Sequence, residues 1–181
     1  VIVSKRAVFP IKTGRLRVAP FSADVVSLGS ALGRPTRVRS RSVFLRVKPL
    51  PKGAPEGFDK SYVGRFEVDA KADRDELEAG ESFRLSLTIR GAGAIRRLSA
   101  PKLEVDGFEI RQPSDFKEKI DSKGNVVSGE RVYEYWVTPK LGGPQTFPSV
   151  NIPYFDPGAE QYAVASSKPV PLLVRGDPGP T

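Results

Sequence analysis

The side chains that could do chemistry in this sequence are carboxylates, arginines and a small set of aromatic residues. His and Cys are absent, which excludes a Ser-His-Asp triad, a thiol nucleophile, a disulfide and an imidazole or thiolate zinc site. Paired carboxylates remain as a catalytic arrangement, as in glycoside hydrolysis. The 21 acidic residues include no pair that its spacing distinguishes. We therefore expect the protein not to be an enzyme and to hold no cofactor or metal.

Four arginines form a candidate basic row. The row consists of Arg34, Arg37, Arg39 and Arg41. The last three alternate with apolar and hydroxyl side chains, so a strand would place their guanidinium groups about 7 Å apart on one face. This pattern is typical of a solvated strand that protects a sheet edge. The functional alternative is a basic stripe for anionic lipid headgroups or an acidic partner. No aromatic residue interleaves with the arginines, so nucleic acid is not an expected partner.

A tyrosine-rich run offers the second candidate surface. Tyr133 and Tyr135 stand two residues apart and Trp136 follows, a set that suggests a platform for carbohydrate or peptide. Aromatic residues at this period in a β-sandwich usually pack in the core and across strands. Trp136 points opposite to the two tyrosines. If Trp136 is exposed, it is the best single candidate for a hot spot at a partner interface.

Two further aromatic residues, Tyr154 and Phe155, precede the tight-turn signal Asp156-Pro157. The pattern favours aromatic residues that end a strand, with Asp156 capping the turn. The alternative is that the loop is exposed and that Tyr154 and Phe155 recognise a partner.

An acidic cluster between residues 73 and 81 suggests calcium, which takes six to eight oxygen ligands in a tight loop. Its carboxylates do not follow the spacing of an EF-hand, so we interpret the cluster as a solvated loop. Asp73–Leu77 is rich in helix formers but too short for an independent helix. We expect a turn or a single helical turn there.

These side chains must be positioned by strands, because period-two alternation of apolar residues dominates the chain. Phe83–Ile89 places its apolar side chains on one face and polar ones on the other, as expected for a strand with one buried face. Shorter runs of this kind occur at 66–70, 103–105 and 170–174. Turn residues separate the runs at 79–81, 91–93, 121–125 and 156–158. The pattern predicts an all-β, immunoglobulin-like antiparallel β-sandwich.

The predicted core takes its side chains from these alternating runs. Without Cys, the sandwich must be stabilised by apolar packing, in which each large side chain contributes roughly 1.5–3 kcal/mol on burial. We expect the buried residues to be Phe66, Phe83, Leu85, Leu87, Ile89, Leu103, Phe108, Tyr133, Tyr135, Val137 and Phe147.

The two parts of the chain differ in charge and repeat one pattern. Residues 1–50 hold eleven basic residues and one acid, Asp24, whereas the whole chain has a net charge of +8. The segment from Pro10 to Val47 recurs from Pro139 to Val174, a separation of about 128 residues that suits tandem sandwich domains. We predict that residues 1–49 are the C-terminal strands of a preceding, incomplete immunoglobulin-like domain. We expect residues 50–175 to form a complete domain of this kind and 176–181 to form a tail.

An incomplete sandwich leaves an inner face and sheet edges without partners, and exposed edges recruit other strands. Three arrangements stay open. The N-terminal strands pack on the complete domain, or two chains self-associate through them, or the missing strands belong to a longer protein. Because the sequence contains no Met, we expect it to be a fragment or a processed chain.

A set of short motifs occurs in one order along residues 47–175. They are Val47–Pro51, Gly53–Pro55, Phe58, Tyr62–Phe66, Ala79–Glu81, Leu85–Gly91, Pro101–Leu103, Gly129–Tyr135, Pro139, Phe147–Pro148, Tyr154–Pro157, Tyr162, Ser166–Ser167 and the strand ending at Val174. This ordered set resembles the BatD-like oxygen-tolerance proteins of bacterial envelopes. One departure is Gly91-Ala92-Gly93-Ala94, where such proteins usually show Gly-x-Gly-Asn.

The resemblance implies a non-enzymatic protein-interaction scaffold with several immunoglobulin-like domains, linked to oxygen or stress tolerance. It implies a parent protein anchored in the membrane outside the present region and located in the bacterial cell envelope, on the periplasmic side of the cytoplasmic membrane. The implied partners are von Willebrand A-domain membrane proteins, together with a MoxR-type ATPase. Two alternatives stay open: a carbohydrate- or peptidoglycan-binding module that uses surface aromatics, and docking to anionic membranes through the Arg34–Arg41 row.

Overall fold

The computed structural model of the chain describes residues 6–26, 35–122 and 125–176. The chain divides into two compact units, Val1–Lys52 and Gly53–Thr181, called unit 1 and unit 2 below. The boundary closely follows Pro49-Leu50-Pro51, where two prolines restrict the backbone and remove hydrogen-bond donors.

Unit 1 consists of two antiparallel strand pairs. Its strands are β1 (Gly14–Val18), β2 (Ser22–Val25), β3 (Thr36–Arg39) and β4 (Val43–Val47). β1 pairs with β4, with Leu16 opposite Leu45, and β2 pairs with β3, with Ala23 opposite Val38. Because successive side chains of a strand point to opposite faces, each pair has one side rich in apolar residues and one rich in arginine.

Unit 2 holds ten strands and one 3-10 turn, Ile95–Arg97, within its described residues. The strands are β5 (Gly64–Ala72), β6 (Glu76–Glu78), β7 (Phe83–Gly93), β8 (Phe108–Arg111), β9 (Phe116–Asp121), β10 (Ser128–Pro139), β11 (Gly143–Phe147), β12 (Asn151–Asp156), β13 (Gln161–Ser166) and β14 (Val170–Arg175). The larger sheet runs β5–β7–β10, and the free side of β10 pairs first with β9 and then with β8.

The second layer of unit 2 is made of β11–β14–β6 and the hairpin β12–β13. β12, β13 and β14 contact β5, and a parallel bridge joins Phe155 of β12 to Val63, just before β5. Among the described residues, every pairing between the strands named above is antiparallel except that of β14 with β6. This arrangement confirms the predicted all-β, immunoglobulin-like antiparallel sandwich. No helix among the described residues is long and apolar enough to cross a membrane.

The expectation of a turn or a helical turn at Asp73–Leu77 was partly wrong. The chain bends at Asp73 and Asp75, but Glu76–Glu78 is a short strand parallel to β14. Two backbone bonds continue this pairing, since the Leu173 N–H donates to Asp75 and the Ala79 N–H donates to Arg175. Burial of Leu77 and hydrogen bonds to a neighbouring strand outweigh the helix propensity of so short a segment.

The predicted core is confirmed. All eleven residues named from the alternation are between 0 and 8% exposed. The register explains why, because Leu87 on β7 stands opposite Ala70 on β5 and Tyr133 on β10. Directly opposed residues share one face of a sheet, so the apolar sides of the three central strands form one surface.

Two details of the sequence prediction were wrong. Gly91-Ala92-Gly93 is the end of β7 and not a turn. A side chain at Gly91 would collide with the backbone carbonyl of Arg65, so the glycine permits close strand approach. Leu103 is buried as expected, but the run from Leu103 to Val105 is not a strand. Its backbone is held by the Gln112 side chain, which donates to the Leu103 carbonyl at 3.0 Å.

The strand pairs of unit 1 recur in the second half of unit 2. In the pair β1–β4, Gly14 lies opposite Val47 and Val18 lies opposite Val43. In the pair β11–β14, Gly143 lies opposite Val174 and Phe147 lies opposite Val170. The pair β2–β3 likewise matches β12–β13. Matching positions lie about 129 residues apart at the first strand and about 127 at the last, as expected for a repeated supersecondary unit.

Candidate partner-binding surfaces

The structure places the predicted arginine row on and just beyond β3. Arg37 and Arg39 are exposed and two residues apart on the strand, whereas Arg41 follows its end. Arg34 lies outside the described residues. The charge of Arg37 is compensated, because its guanidinium donates to both oxygens of Asp24 at 2.9 and 3.1 Å. The same contact lowers the pKa of Asp24. Arg39 and Arg41 are therefore the better candidates of the row for an anionic partner.

Sequence reasoning missed a second basic face, on β1 and β4. Arg15 stands opposite Arg46, and Arg17 stands opposite Phe44. The Arg15 guanidinium lies 4.7 Å from the centre of the Phe44 ring, and Arg17 donates to the Ser42 hydroxyl at 3.0 Å. The signal was the alternation of arginine with Leu and Val in both segments. It becomes a face only when the two strands pair.

Trp136 lies on the outer face of the larger sheet and is 47% exposed. Its neighbours across the sheet are Arg84 on β7 and Arg111 on β8. Arg84 approaches Glu134 at 3.9 Å, and Arg111 makes no ion pair within the described part of the chain. Trp and Arg are the residue types enriched at interface hot spots. Trp136 is therefore exposed, which was the condition for treating it as a candidate hot spot.

The two tyrosines beside Trp136 belong to the core. The Tyr133 hydroxyl donates to the Leu98 carbonyl at 2.6 Å, and the Tyr135 hydroxyl donates to the Pro101 carbonyl at 2.7 Å. Burial raises the pKa of both phenols. A three-ring platform for carbohydrate thus reduces to the Trp136 indole alone.

A charged row crosses the outer face farther along the sheet. Arg90 on β7 lies between Glu67 on β5 and Glu130 on β10. Glu130 in turn lies opposite Lys119 on β9. Arg90 and Glu130 form an ion pair at 2.9 Å. These residues line a groove of about 530 Å³, in which alternating charges compensate one another. Arg90 stands between the two glutamates, so the groove does not present them as a pair.

Tyr154 and Phe155 pack into unit 2. Phe155 is 7% exposed, and its ring centre lies 5.2 Å from that of Tyr162. Tyr154 is half-buried, with its ring centre 5.8 Å from that of Phe66. They end β12, as the turn interpretation predicted. The Phe155 ring therefore offers little surface for the alternative role in partner recognition.

Asp156 caps the turn that follows β12. Its Oδ1 accepts hydrogen bonds from the Gly158 and Ala159 N–H groups at 2.8 and 3.2 Å. Its Oδ2 pairs with the Arg65 guanidinium at 3.0 Å. The Gly158 bond and the Arg65 contact lower the pKa of Asp156. The carboxylate thereby links the turn to β5 in the opposite layer.

The acidic cluster around β6 makes local backbone bonds. Asp73 accepts from the Arg84 N–H at 2.9 Å, and Glu81 accepts from the Glu78 N–H at 3.1 Å. Within the described residues, no group of three or more acidic side chains is arranged to hold a metal ion.

The interior of unit 2 contains an arginine that sequence reasoning did not single out. Arg131 is 5% exposed and donates to the carbonyls of Leu98 and Arg96 at 2.5 and 2.8 Å. It also donates to Glu118 at 2.8 Å, and its guanidinium lies 3.9 Å from the centre of the Phe116 ring. The alternation with Tyr133 was the signal, since it puts both residues on one face. The network fixes the 3-10 turn against β10.

The fold and these surfaces define a β-sandwich module with an exposed Trp–Arg patch and basic strand faces. The family model described as BatD DUF11 like domain matches residues 70–174, from within β5 to within β14. The chain therefore belongs to the BatD family and is a BatD-like, aerotolerance-associated protein. No curated protein and no solved structure matches the chain.

Proposed function

We propose that this chain is a non-enzymatic protein-binding module of a membrane-anchored BatD protein, acting on the extracytoplasmic side of the cytoplasmic membrane. Family membership supports the link to aerotolerance. The observation that carries the binding role is the exposure of Trp136 on the outer face of the larger sheet.

The position of Trp136 favours binding because the ring is held on a rigid support. β10 is paired on both sides, with β7 and with β8, at the level of Trp136. A partner that covers the indole gains a large apolar area with little loss of side-chain entropy. Arg84 and Arg111 flank the ring and supply charge-assisted hydrogen bonds to carboxylates. The matching partner surface has an apolar pocket rimmed by acidic residues.

The partner we expect is a von Willebrand A-domain membrane protein, the class that the resemblance to BatD-like proteins implies. A pull-down from bacterial membranes with the intact parent protein, followed by mass spectrometry, identifies what co-purifies. The wild type is compared with Trp136→Ala and with Val164→Ala, whose side chain is exposed on β13.

Hot-spot truncations cost at least about 2 kcal/mol, so we expect Trp136→Ala to weaken partner binding at least about 30-fold in titration. Val164→Ala is expected to bind like the wild type. Both variants should keep the wild-type melting temperature, because neither side chain is in the core. Unchanged affinity of Trp136→Ala for every co-purified protein would refute this surface.

Carbohydrate binding is the alternative that uses the same ring. Titration of the chain with soluble peptidoglycan fragments is followed by the fluorescence of Trp136, the one tryptophan of the sequence. A saturable change would favour the carbohydrate-binding function, whereas silence together with capture of a protein supports the scaffold.

Docking to anionic membranes is a second candidate, and the basic faces of unit 1 favour it. Arg15, Arg17 and Arg46 are exposed on β1 and β4, and Arg39 is exposed on β3. Sedimentation with vesicles separates this function from protein binding. Pelleting that requires anionic lipid supports docking, and equal pelleting with neutral and anionic vesicles eliminates it.

A further inference from the structure

The pairing of β1 with β4 brings two arginines of like charge together on one exposed face. Arg15 on β1 lies directly opposite Arg46 on β4, and Arg17 lies opposite Phe44 two residues farther along. All four side chains are exposed. Directly opposed residues of an antiparallel pair have Cβ atoms about 4.5–5.5 Å apart. Two guanidinium groups can therefore reach a single small ligand.

The like charges of Arg15 and Arg46 contrast with the charge arrangement in unit 2. There Arg90 lies between Glu67 and Glu130 and pairs with Glu130 at 2.9 Å. Neither Arg15 nor Arg46 forms an ion pair within the part of the chain that the structure describes. Like charges placed directly opposite each other destabilise a strand pair. An anion bound between the two arginines would remove this repulsion.

Unit 1 has no spare carboxylate to act as that anion. Asp24 is the one acidic residue of unit 1, and its two oxygens accept from Arg37 at 2.9 and 3.1 Å. The positions of unit 2 that correspond to Arg15 and Arg46 hold Pro144 and Leu173, again opposite each other. The arginine pair is thus a feature of unit 1 that its fold does not require.

Neutral neighbours hold two arginines of this face in place. The Arg15 guanidinium lies 4.7 Å from the centre of the Phe44 ring. Arg17 donates from Nε and Nη2 to Ser42 Oγ at 3.2 and 3.0 Å. Neither contact neutralises the charge. A groove of about 980 Å³ runs along the face and is lined by Arg15, Phe44 and Arg46. Charged groups that are oriented before binding lose less entropy when a ligand arrives.

The geometry of the pair favours a phosphate group over a carboxylate. A single guanidinium fork satisfies both oxygens of a carboxylate. A phosphate group arranges its oxygens in a tetrahedron, so two forks can bind it from different sides. Phe44 adds an apolar ring that is 55% exposed beside the two charges. Basic side chains next to an exposed aromatic ring suit the boundary between lipid headgroups and acyl chains.

We propose that Arg15 and Arg46, called the arginine clamp below, bind the phosphate of an anionic lipid headgroup. Phe44 holds the Arg15 guanidinium and contacts the acyl boundary. Arg17 adds positive charge beside the clamp. This inference rests on the second candidate function, docking of unit 1 to anionic membranes, and names the residues and the lipid group that mediate it.

Substitutions that keep the charge but remove the planar fork test the clamp. Sedimentation with vesicles of phosphatidylcholine and phosphatidylglycerol compares the wild type with the double variant Arg15→Lys and Arg46→Lys. The control is the double variant Arg39→Lys and Arg41→Lys, whose arginines are also exposed. All three proteins have the same net charge. We expect the clamp variant to bind at least about 10-fold more weakly and the control to stay within about twofold of the wild type.

A second set of vesicles separates phosphate recognition from attraction to negative charge. In these vesicles oleate replaces phosphatidylglycerol, and the two sets are matched in zeta potential. We expect the wild type to bind the oleate vesicles at least about 10-fold more weakly, because a carboxylate engages only one guanidinium fork. Equal binding to both sets would overturn the proposal. Displacement from phosphatidylglycerol vesicles by millimolar inorganic phosphate at constant ionic strength would make soluble phosphate the ligand instead.

The clamp and the docking function fail in different ways. Wild-type pelleting that does not differ between neutral and anionic vesicles would eliminate docking and the clamp together. Docking survives, but the clamp is overturned, if the wild type requires anionic lipid and the clamp variant binds equally well. Equal losses in the clamp variant and the control would also overturn it, since every arginine of unit 1 would then contribute alike.

Discussion

Arg131 illustrates how a single charged residue takes part in an apolar core. Removing a guanidinium from water is costly unless its donors are satisfied. Here two backbone carbonyls and the Glu118 carboxylate accept from its terminal nitrogens, and the Phe116 ring covers its face. Its buried Nε has no hydrogen-bond partner within the described residues. Burial opposes the charged form, but the bonds to Glu118 and Tyr133 outweigh it and raise the pKa of Arg131. The residue stays charged and holds the 3-10 turn in place.

We expect Arg131→Met to lower the free energy of unfolding of unit 2 by about 2–4 kcal/mol, since the Arg96 carbonyl and the Glu118 carboxylate lose the Arg131 donor and the Leu98 carbonyl keeps only the Tyr133 hydroxyl. Methionine keeps much of the apolar stem, so the loss reports the polar network. Urea unfolding followed by Trp136 fluorescence measures it. Arg90→Met is the control, because Arg90 pairs with Glu130 on the exposed face, where ion pairs contribute little. Equal losses for the two variants would show that the Arg131 network is not stabilising.

Asp156 makes the stability of unit 2 depend on pH in the acid range. Its folded-state pKa is below the usual value of about 3.9, so the unfolded state binds its proton first as pH falls. The stabilisation is fully present above the ordinary pKa and is lost as pH falls through the folded-state pKa.

The unfolding free energy of the wild type should fall between about pH 5 and pH 2. We expect it to fall less in Asp156→Asn, which has no carboxylate to protonate at this position. The amide oxygen can still accept from the Gly158 N–H, which keeps the cap but removes the charge. Urea titrations across this range compare the slopes. A variant with the same pH dependence as the wild type would show that Asp156 does not contribute to it.

At the scale of elements, β7 is the strand on which unit 2 depends most. It lies between β5 and β10 and is paired with both along its length. Leu87 is at its centre and fully buried. We expect Leu87→Ala to destabilise unit 2 by about 2–5 kcal/mol, because it removes apolar contacts and leaves a cavity. A loss below about 0.5 kcal/mol in denaturant melts, the size typical of surface positions, would contradict its core placement.

Strands with strong alternation were predictable, and the weaker elements were not. In Phe83–Ile89 and in the β10 segment, apolar residues recur at every second position, and only a strand with one buried face places all of them in the core. β6 has only three residues, too few to establish a period, so its state is decided by hydrogen bonds to β14, a strand far along the chain. Gly91-Ala92-Gly93 has the composition of a turn, but the approach of Arg65 on β5 requires glycine within a strand.

At the scale of the whole molecule, the chain combines two units of opposite net charge. Unit 1 holds 12 basic residues and one acidic residue, a net charge of +11, whereas unit 2 holds 17 basic and 20 acidic residues, a net charge of −3. The basic isoelectric point, about 9.8, therefore describes unit 1 rather than the module that the family model matches.

The sequence alone was sufficient to predict the fold class, eleven of the 22 buried apolar residues found among the described residues of unit 2, the repeat and the family. These follow from local alternation and from the order of short motifs, and both can be read directly from the linear sequence. Only the tertiary structure decided which candidate side chains are accessible. Trp136 faces outward. Tyr154 and Phe155 point to opposite faces of β12, yet Phe155 is buried and Tyr154 is half-buried. The Asp24 carboxylate compensates the charge of Arg37. Accessibility depends on which distant strands come together, and residue spacing does not specify that.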